Sequence, residues 1–596
     1  MKTRYYLLIL FFFTFTISTN CSNSSSEPAA ETTDEGDDDT TTEPATDTEY
    51  DISLASLEIT SETLSDLDPT FDSLVTEYQV EQTFLSDNTV RFVATTTDAE
   101  ANLITNDGLA ESGVAQSLEW DEIDNELSLI VSAPDNSSAQ EYTVTLARNA
   151  LAQTTHIKAS NTEDLDYFGY SIAISGDTMV VGAPNENGDD LGSQDDAGAV
   201  YVYERNSEND WEFVSVLRAG NLEADDQFGH AVAIDGDTLV VGAHREDGSA
   251  QTVNGASDEL ASLSGAAYVF EKDASGDWLE TAYLKGSNQL ASDLCGQAVA
   301  IDNNSIVVGC YKDDNTAFDS GAAYVYINNG TTWEEEAYLK SDIVDVGDEF
   351  GYSVDIDADT IVIGAHYEDG SATEINGIDD DNVDFEEAGA AYIFERTGTD
   401  WLQTAYVKAS DSFEQDFFGA AVAVSGDTVV VTSYLESSDT NNINGNPYST
   451  GAGASGAAYT YVRQADTWVF ESFLKAPNSG TGDYLGWSVA IDNDIIVVGA
   501  INEDSASQEI DGDLADDTSS NSGAAYVFRR DANEDWEHVA YLKPTNSGVS
   551  DQFGYAVGIS GDTVVVGART EDGSATGIDP TDDDLGLDTG AAYTFQ

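Results

Sequence analysis

From residue 151 onward the chain repeats itself seven times. A Phe-Gly-like pair recurs at Phe168-Gly169, Phe228-Gly229, Cys295-Gly296, Phe350-Gly351, Phe418-Gly419, Leu485-Gly486 and Phe553-Gly554, at a period of roughly sixty residues. A period of this size demands supersecondary units that bury their apolar faces against one another. Each unit holds four short apolar runs. In the second, Phe228-Gly-His-Ala-Val-Ala-Ile234 leads through Asp235-Gly-Asp-Thr238 into Leu239-Val-Val-Gly-Ala243; a longer loop precedes Gly265-Ala-Ala-Tyr-Val-Phe270, and a short turn precedes Trp278-Leu-Glu-Thr-Ala-Tyr-Leu-Lys285. The Gly-Asp pair supplies the positive φ of a two-residue hairpin. Four strands per repeat predict an all-β propeller blade rather than a helical solenoid.

The ends of the array predict how it closes. Six units have a fourth strand opening on tryptophan, at Trp211, Trp278, Trp333, Trp401, Trp468 and Trp536, whereas the seventh has only three strands. Thr154 to Lys158 stands before the first Phe-Gly pair as Ala282 to Lys285 stands before the second. The strand at 154–158 is therefore expected to complete blade seven and remove a free sheet edge, making 150–596 one seven-bladed propeller. Blocks such as Phe553-Gly-Tyr-Ala-Val-Gly-Ile559 and Val564-Val-Val-Gly-Ala568 resemble the FG-GAP repeats of integrin α-chain propellers, in their bacterial variety, in all seven units. The resemblance implies a binding or adhesion module. The Asp-rich calcium loop between strands one and two of integrin repeats has no counterpart, because that connection is the tight turn Ser175-Gly-Asp-Thr178 and its equivalents.

Before the array, residues 51–149 alternate apolar and polar: Leu54, Leu57 and Ile59; Val90, Phe92 and Ala94; Leu127, Leu129 and Val131; Tyr142, Val144 and Leu146. Period two between turn-forming clusters predicts a small β-sandwich. The order Leu64, Pro69, Phe71, Tyr78 and the closing Tyr142 to Arg148 resemble a cadherin-like β-sandwich domain, which implies a spacer or binding module without catalysis. Ahead of it, Lys2 and Arg4 precede an apolar run from Tyr5 to Phe15, which makes 1–20 a secretory signal. Ile17 to Cys21 resembles a loose bacterial lipobox, with Cys21 as the lipidated residue and a simple cleaved signal as the alternative. Residues 21–50 are Ser, Thr, Glu, Asp and Pro with almost nothing to bury, a solvated acidic tether. The expected location is the outer membrane or cell surface.

Within the repeats, nearly all length variation falls between strands two and three: Gly182 to Gly198 is 16 residues, Gly309 to Gly321 is 12 and Gly364 to Gly389 is 25. These loops are expected to project from one face. Lys158, Arg218, Lys285, Lys340, Lys408, Lys475 and Lys543 each precede an Asp by eight residues, at Asp166, Asp226, Asp293, Asp348, Asp416, Asp483 and Asp551. The regularity predicts a structural clamp on the strand-four to strand-one crossover, as a repeated ion pair or a shared backbone-capping arrangement; a ring of ligand-binding lysines is the functional alternative. Blade three alone carries Cys295 in place of Phe and Cys310 in place of Ala. With Asn303 and Asn304 in the turn they lie diagonally, near the reach of a disulfide if the strands twist, the alternative being two buried thiols.

Charge limits the partners. Twenty basic against 113 acidic residues give −93, which repels nucleic acid and anionic membrane surfaces and leaves cations, basic proteins and neutral glycans; the only membrane contact expected is a lipid anchor. Asp511, Asp513, Asp516 and Asp517 in blade six and Asp579, Asp582, Asp583 and Asp584 in blade seven offer the hard oxygens that Ca²⁺ takes, against a solvated acidic rim. Zinc-protease, serine-hydrolase and dithiol motifs are absent from the sequence. Gly451 to Gly456 matches a dinucleotide fingerprint but precedes a strand, so no helix dipole faces a phosphate. His230, His244 and His366 stand at variable repeat positions; the strand-four tryptophans are packing residues, and Trp487 is the aromatic to test for ligand contact. The reading is a surface binding or adhesion module, not an enzyme, with a protein or glycan ligand. A polysaccharide-acting enzyme and a surface-coat component are the alternatives.

Overall fold

The computed structural model describes residues 51–596 apart from 60–66, 68, 83–88, 107, 120–125, 136, 149–150, 188–195, 378–385, 466, 532 and 582–584. The signal, the tether and Cys21 lie outside the described residues, as do Asp582, Asp583 and Asp584. No helix occurs among the described residues, and none of them forms a helix long and apolar enough to cross a membrane.

The first domain has eight strands: β1 (Leu54–Ile59), β2 (Glu77–Gln82), β3 (Thr89–Thr96), β4 (Asn102–Thr105), β5 (Gly108–Ala110), β6 (Ala115–Glu119), β7 (Glu126–Ser132) and β8 (Ala139–Arg148). They form a three-stranded sheet, β1-β3-β6, and a five-stranded sheet, β2-β8-β7-β4-β5, in which β2 and β8 run parallel. The alternating residues Leu54, Phe92, Leu129, Val131 and Val144 are buried in a shared core. Tyr142 ties the layers together, its hydroxyl accepting from Leu54 N at 3.0 Å and donating to Ser73 O at 3.1 Å.

The repeats form seven separate sheets of antiparallel strands, here named a to d from the axis outward. Blade one is Ser171–Ser175, Thr178–Ala183, Ala199–Arg205 and Trp211–Leu217. In blade seven, strands a to c are Phe553–Ser560, Thr563–Ala568 and Ala591–Phe595. Its fourth is β9 (Gln153–Lys158), which pairs antiparallel with Ala591–Phe595. The array also joins at its ends: the Gly that opens each strand c bridges to the Phe-position residue of the next blade, and Gly590 bridges to Phe168 as Gly198 does to Phe228. Glycine is required at this joint. Gly198 has φ +89°, and a Cβ there would stand 2.0 Å from Phe228 O; at Gly590 the distance to Phe168 O would be 1.9 Å.

Cys295 and Cys310 are joined by a disulfide with Cα atoms 4.0 Å apart. They are direct partners rather than diagonal neighbours, because the strand-a register slips between Cys295 and Val299: Cys295 faces Cys310, while Val299 faces Val308. A β-bulge there absorbs residues that a regular hairpin would have carried past the cysteines.

Candidate functional site

The connections that vary most in length, the b–c loops, sit at one end of the blades. Strands alternate in direction, so the a–b and c–d turns share one face, and the b–c loops and d–a crossovers share the other. On that second face, at the axis, the residue after each Phe-Gly pair points inward. Phe168, Phe228, Phe350, Phe418 and Phe553 are buried between blades, and the following residues form a ring: Tyr170, His230, Gln297, Tyr352, Ala420, Trp487 and Tyr555. With Tyr434 from the end of a strand b they line a cavity of about 240 Å³. Tilted and T-shaped ring contacts follow one another around much of it, with centroids 5.2 Å apart for Tyr434 and Trp487, 5.6 Å for Trp487 and Tyr555, 5.0 Å for Tyr555 and Tyr170 and 5.0 Å for Tyr170 and His230.

A second tier, from the residue after each strand b, holds this ring in place. His244 packs on His230 at 3.8 Å and His366 on Tyr352 at 3.7 Å. Arg569 lies 4.1 Å over Tyr555, donates to its hydroxyl at 3.1 Å and sends Nε to Gln552 Oε1 at 2.8 Å, so the guanidinium is held in place by neutral acceptors. Glu349 pairs with Lys312 and lies 3.6 Å from His366 Nε2. Burial pushes the Glu349 carboxyl up, against the opposing pull of Lys312. Burial pushes His230 down to about 4, His244 to about 2 and His366 to about 3, so all three imidazoles are neutral at pH 7. None of the cavity's lining residues is an Asp or Glu. Beneath it runs an axial channel of about 330 Å³, walled by Ile, Val, Ala and Gly from all seven blades, with Asp355 the one charged lining residue. Asp355 accepts from Val424 N at 2.7 Å, and burial lifts its pKa to about 7.

The repeated basic residues occupy a different place from this cup and find a different partner from the one their spacing suggests. Lys285 meets Glu246 at 3.0 Å, Lys340 meets Asp313 at 2.8 Å, Lys408 meets Glu368 at 2.6 Å, Lys475 meets Glu436 at 2.8 Å and Lys543 meets Glu503 at 3.1 Å, while Lys158 pairs with Glu571. Arg218 reaches Glu186 at 3.0 Å from a half-buried position. Each pair spans one blade, from the end of strand d to the start of the b–c loop. Lys475 also donates to Ser455 Oγ and Gly456 O at the head of strand c. The Asp eight residues on caps the crossover: Asp166 accepts from Glu163 N, Asp226 from Glu223 N, Asp293 from Leu290 N, Asp348 from Asp345 N, Asp416 from Phe413 N, Asp483 from Gly480 N and Asp551 from Gly548 N. The eight-residue interval thus reflects a crossover of constant length. The overlooked signal was an acid four residues after the strand-b Gly182, Gly242, Gly309, Gly364, Gly499 and Gly567, and after Thr432, at Glu186, Glu246, Asp313, Glu368, Glu503, Glu571 and Glu436.

The acidic loops do not simply project from the face. In five blades they fold back onto the outer strand. Asn254, Asn376 and Asn444 each exchange bonds with the strand-d backbone, at Tyr283, Tyr406 and Phe473. Asp511 does the same with Tyr541, its Oδ1 accepting Tyr541 N at 2.8 Å, and Asp579 with His156 at 2.9 Å. Asparagine serves equally in three blades, so the carboxylate charge is not what the position uses. Asp513 accepts from Ala515 N and Asp516 from Ala506 N and Thr518 Oγ1, and Asp517 is exposed. No group of three or more His, Cys, Asp or Glu side chains among the described residues is arranged to hold a metal ion.

A crystal structure of a protein from Lactobacillus plantarum is similar at 11% identity and a TM-score of 0.37, over 76% of this chain and 98% of that one. Among curated proteins, no similar sequence was found. Residues 54–149 match the cadherin-like β-sandwich domain family. The FG-GAP repeat family matches seven times, at 151–203, 211–270, 278–326, 333–394, 401–461, 468–528 and 536–595, and with more than half of its length covered, the chain belongs to that family.

Proposed function

We propose that the chain is an exported surface protein that binds a partner at the aromatic cup on the loop face of its propeller, without catalysis. Cys21 carries the lipid anchor, the acidic tether keeps the folded part clear of the membrane, and the sandwich serves as a spacer. The observation that carries the reading is the cup itself: four tyrosines and a tryptophan converge on the axis, where a propeller could close with small aliphatic residues. The absence of Asp and Glu from its lining supports binding over glycoside hydrolysis, which needs two carboxyls flanking the scissile bond.

Two experiments test the proposal. Labelled palmitate should enter the full chain when expressed in a bacterial host and be lost in Cys21→Ser; equal labelling of the variant removes the anchor. A Trp487→Ala/Tyr555→Ala chain should lose retention on bacterial surface material while melting within a few degrees of wild type. Undiminished retention would move the binding surface away from the cup and leave a structural coat role as the better account.

A further inference from the structure

We infer that the cup takes the terminal residue of a neutral glycan chain, an inference that rests on the proposed binding role of the same site. Charge narrows the ligand first. A net charge of −93 repels an anionic ligand at long range. A cationic ligand would find no carboxylate in the lining, and the charged group of the second tier that stands directly behind a lining ring is Arg569, 4.1 Å over Tyr555. An aromatic cage selects ammonium groups best when nothing cationic stands behind its rings. A wholly apolar ligand fits poorly too, because Gln297, His230 and the tyrosine hydroxyls place polar groups among the rings. Flat aromatic faces interleaved with neutral donors and acceptors match a pyranose, which presents C–H groups on its faces and hydroxyls at its edge.

Shape decides which part of the glycan enters. The lining comes from all seven blades, so among the described residues the walls surround the axis and leave no groove open at two sides. Such a site admits an end. The neutral imidazoles suit the same ligand, since an uncharged His230 can both donate and accept.

The test is titration of the full chain with methyl glycosides of glucose, galactose, mannose, rhamnose and N-acetylglucosamine, alongside choline, Nα-acetyl-lysine methylamide and methyl glucuronide. Tryptophan fluorescence reports binding, with Trp487→Phe identifying the responding ring. At least one neutral glycoside should change the Trp487 signal, bind about tenfold or more weakly to Tyr555→Ala, in line with the loss of one stacking ring, and compete as well as an oligosaccharide ending in the same residue. Binding of choline or the lysine amide in place of every sugar would overturn the glycan assignment and leave the binding role standing. An oligosaccharide that binds a hundredfold or more better than its terminal glycoside would overturn the end-on geometry. Silence from every probe, with surface retention unaffected by the cup variants, would remove both the ligand class and the binding site.

Discussion

Lys475 has a side chain wholly excluded from water and a partner, Glu436, that is 2% exposed. Removing one member of such a pair leaves the other charge buried, which costs about 3–5 kcal/mol, whereas replacing both with apolar groups can be nearly neutral. Lys475→Ala should therefore lower unfolding stability by about that amount, and Lys475→Met with Glu436→Leu should recover most of it. Arg218, 28% exposed above a buried Glu186, should cost less than Lys475 when replaced by Ala, because water can reach the carboxylate it leaves. Denaturant titration of the four chains separates these values; equal losses at Lys475 and Arg218 would show that the buried pairs do not anchor the loops. The same residues mark a limit of sequence reading. An interval of eight was visible, and of its two readings the structure shows the backbone cap by Asp and not the ion pair with Lys, because constancy in sequence records a fixed path length as readily as a contact. The acid at the far end of the pair sits in another segment of the blade, and only the fold brings the two together.

At the scale of the element, the b–c loop is a strap rather than a free arm. Asn254 caps Tyr283 across 29 residues, and Asp511 caps Tyr541 in the same way. Asn254→Ala should cost about 1 kcal/mol, while Asp511→Asn should leave the melting temperature unchanged, since three blades already use asparagine there. Ca²⁺ and Mg²⁺ at matched ionic strength should stabilise the chain equally, as screening does; a Ca²⁺-specific rise lost in Asp511→Asn would restore a metal role for these loops. Strand order and the two-residue hairpins were legible in the sequence because period-two runs and Gly-Asp turns are local signals. The straps were not, because an Asx cap and a solvated acid look alike until the neighbouring strand is known. The cup was half legible: Trp487 stood out, but His230, Tyr170, Tyr352 and Tyr555 showed only as variable letters at one repeat position and Tyr434 at another, and their convergence is a property of the ring.

At the scale of the molecule, the crossover carboxyls make stability depend on pH. Burial, first among the causes, lifts Asp166 and Asp416 to about 8 and Asp226, Asp293 and Asp483 to about 7. A carboxyl with a raised folded pKa holds its proton more tightly in the native chain. Its contribution is complete below the unfolded value, about 4, and is lost as pH climbs through 7 to 8. The propeller should melt at a lower temperature at pH 9 than at pH 6 under constant ionic strength, with a smaller difference in Asp416→Asn. A flat profile would mean that these groups stay ionised in the fold.

The closing strand adds a constraint of timing. Thr154 on β9 meets Thr594, their hydroxyl oxygens 2.7 Å apart across 440 positions of sequence. During synthesis β9 emerges ahead of the blades, and its partner follows only after six blades have been made. Pairings of such long range form late and slowly, so an early strand with an exposed ladder edge must wait, and until then it is open to pairing with another copy. Completion of the seventh blade thus has to follow the other six, a built-in check that all seven repeats have been delivered before the cup at their axis can exist.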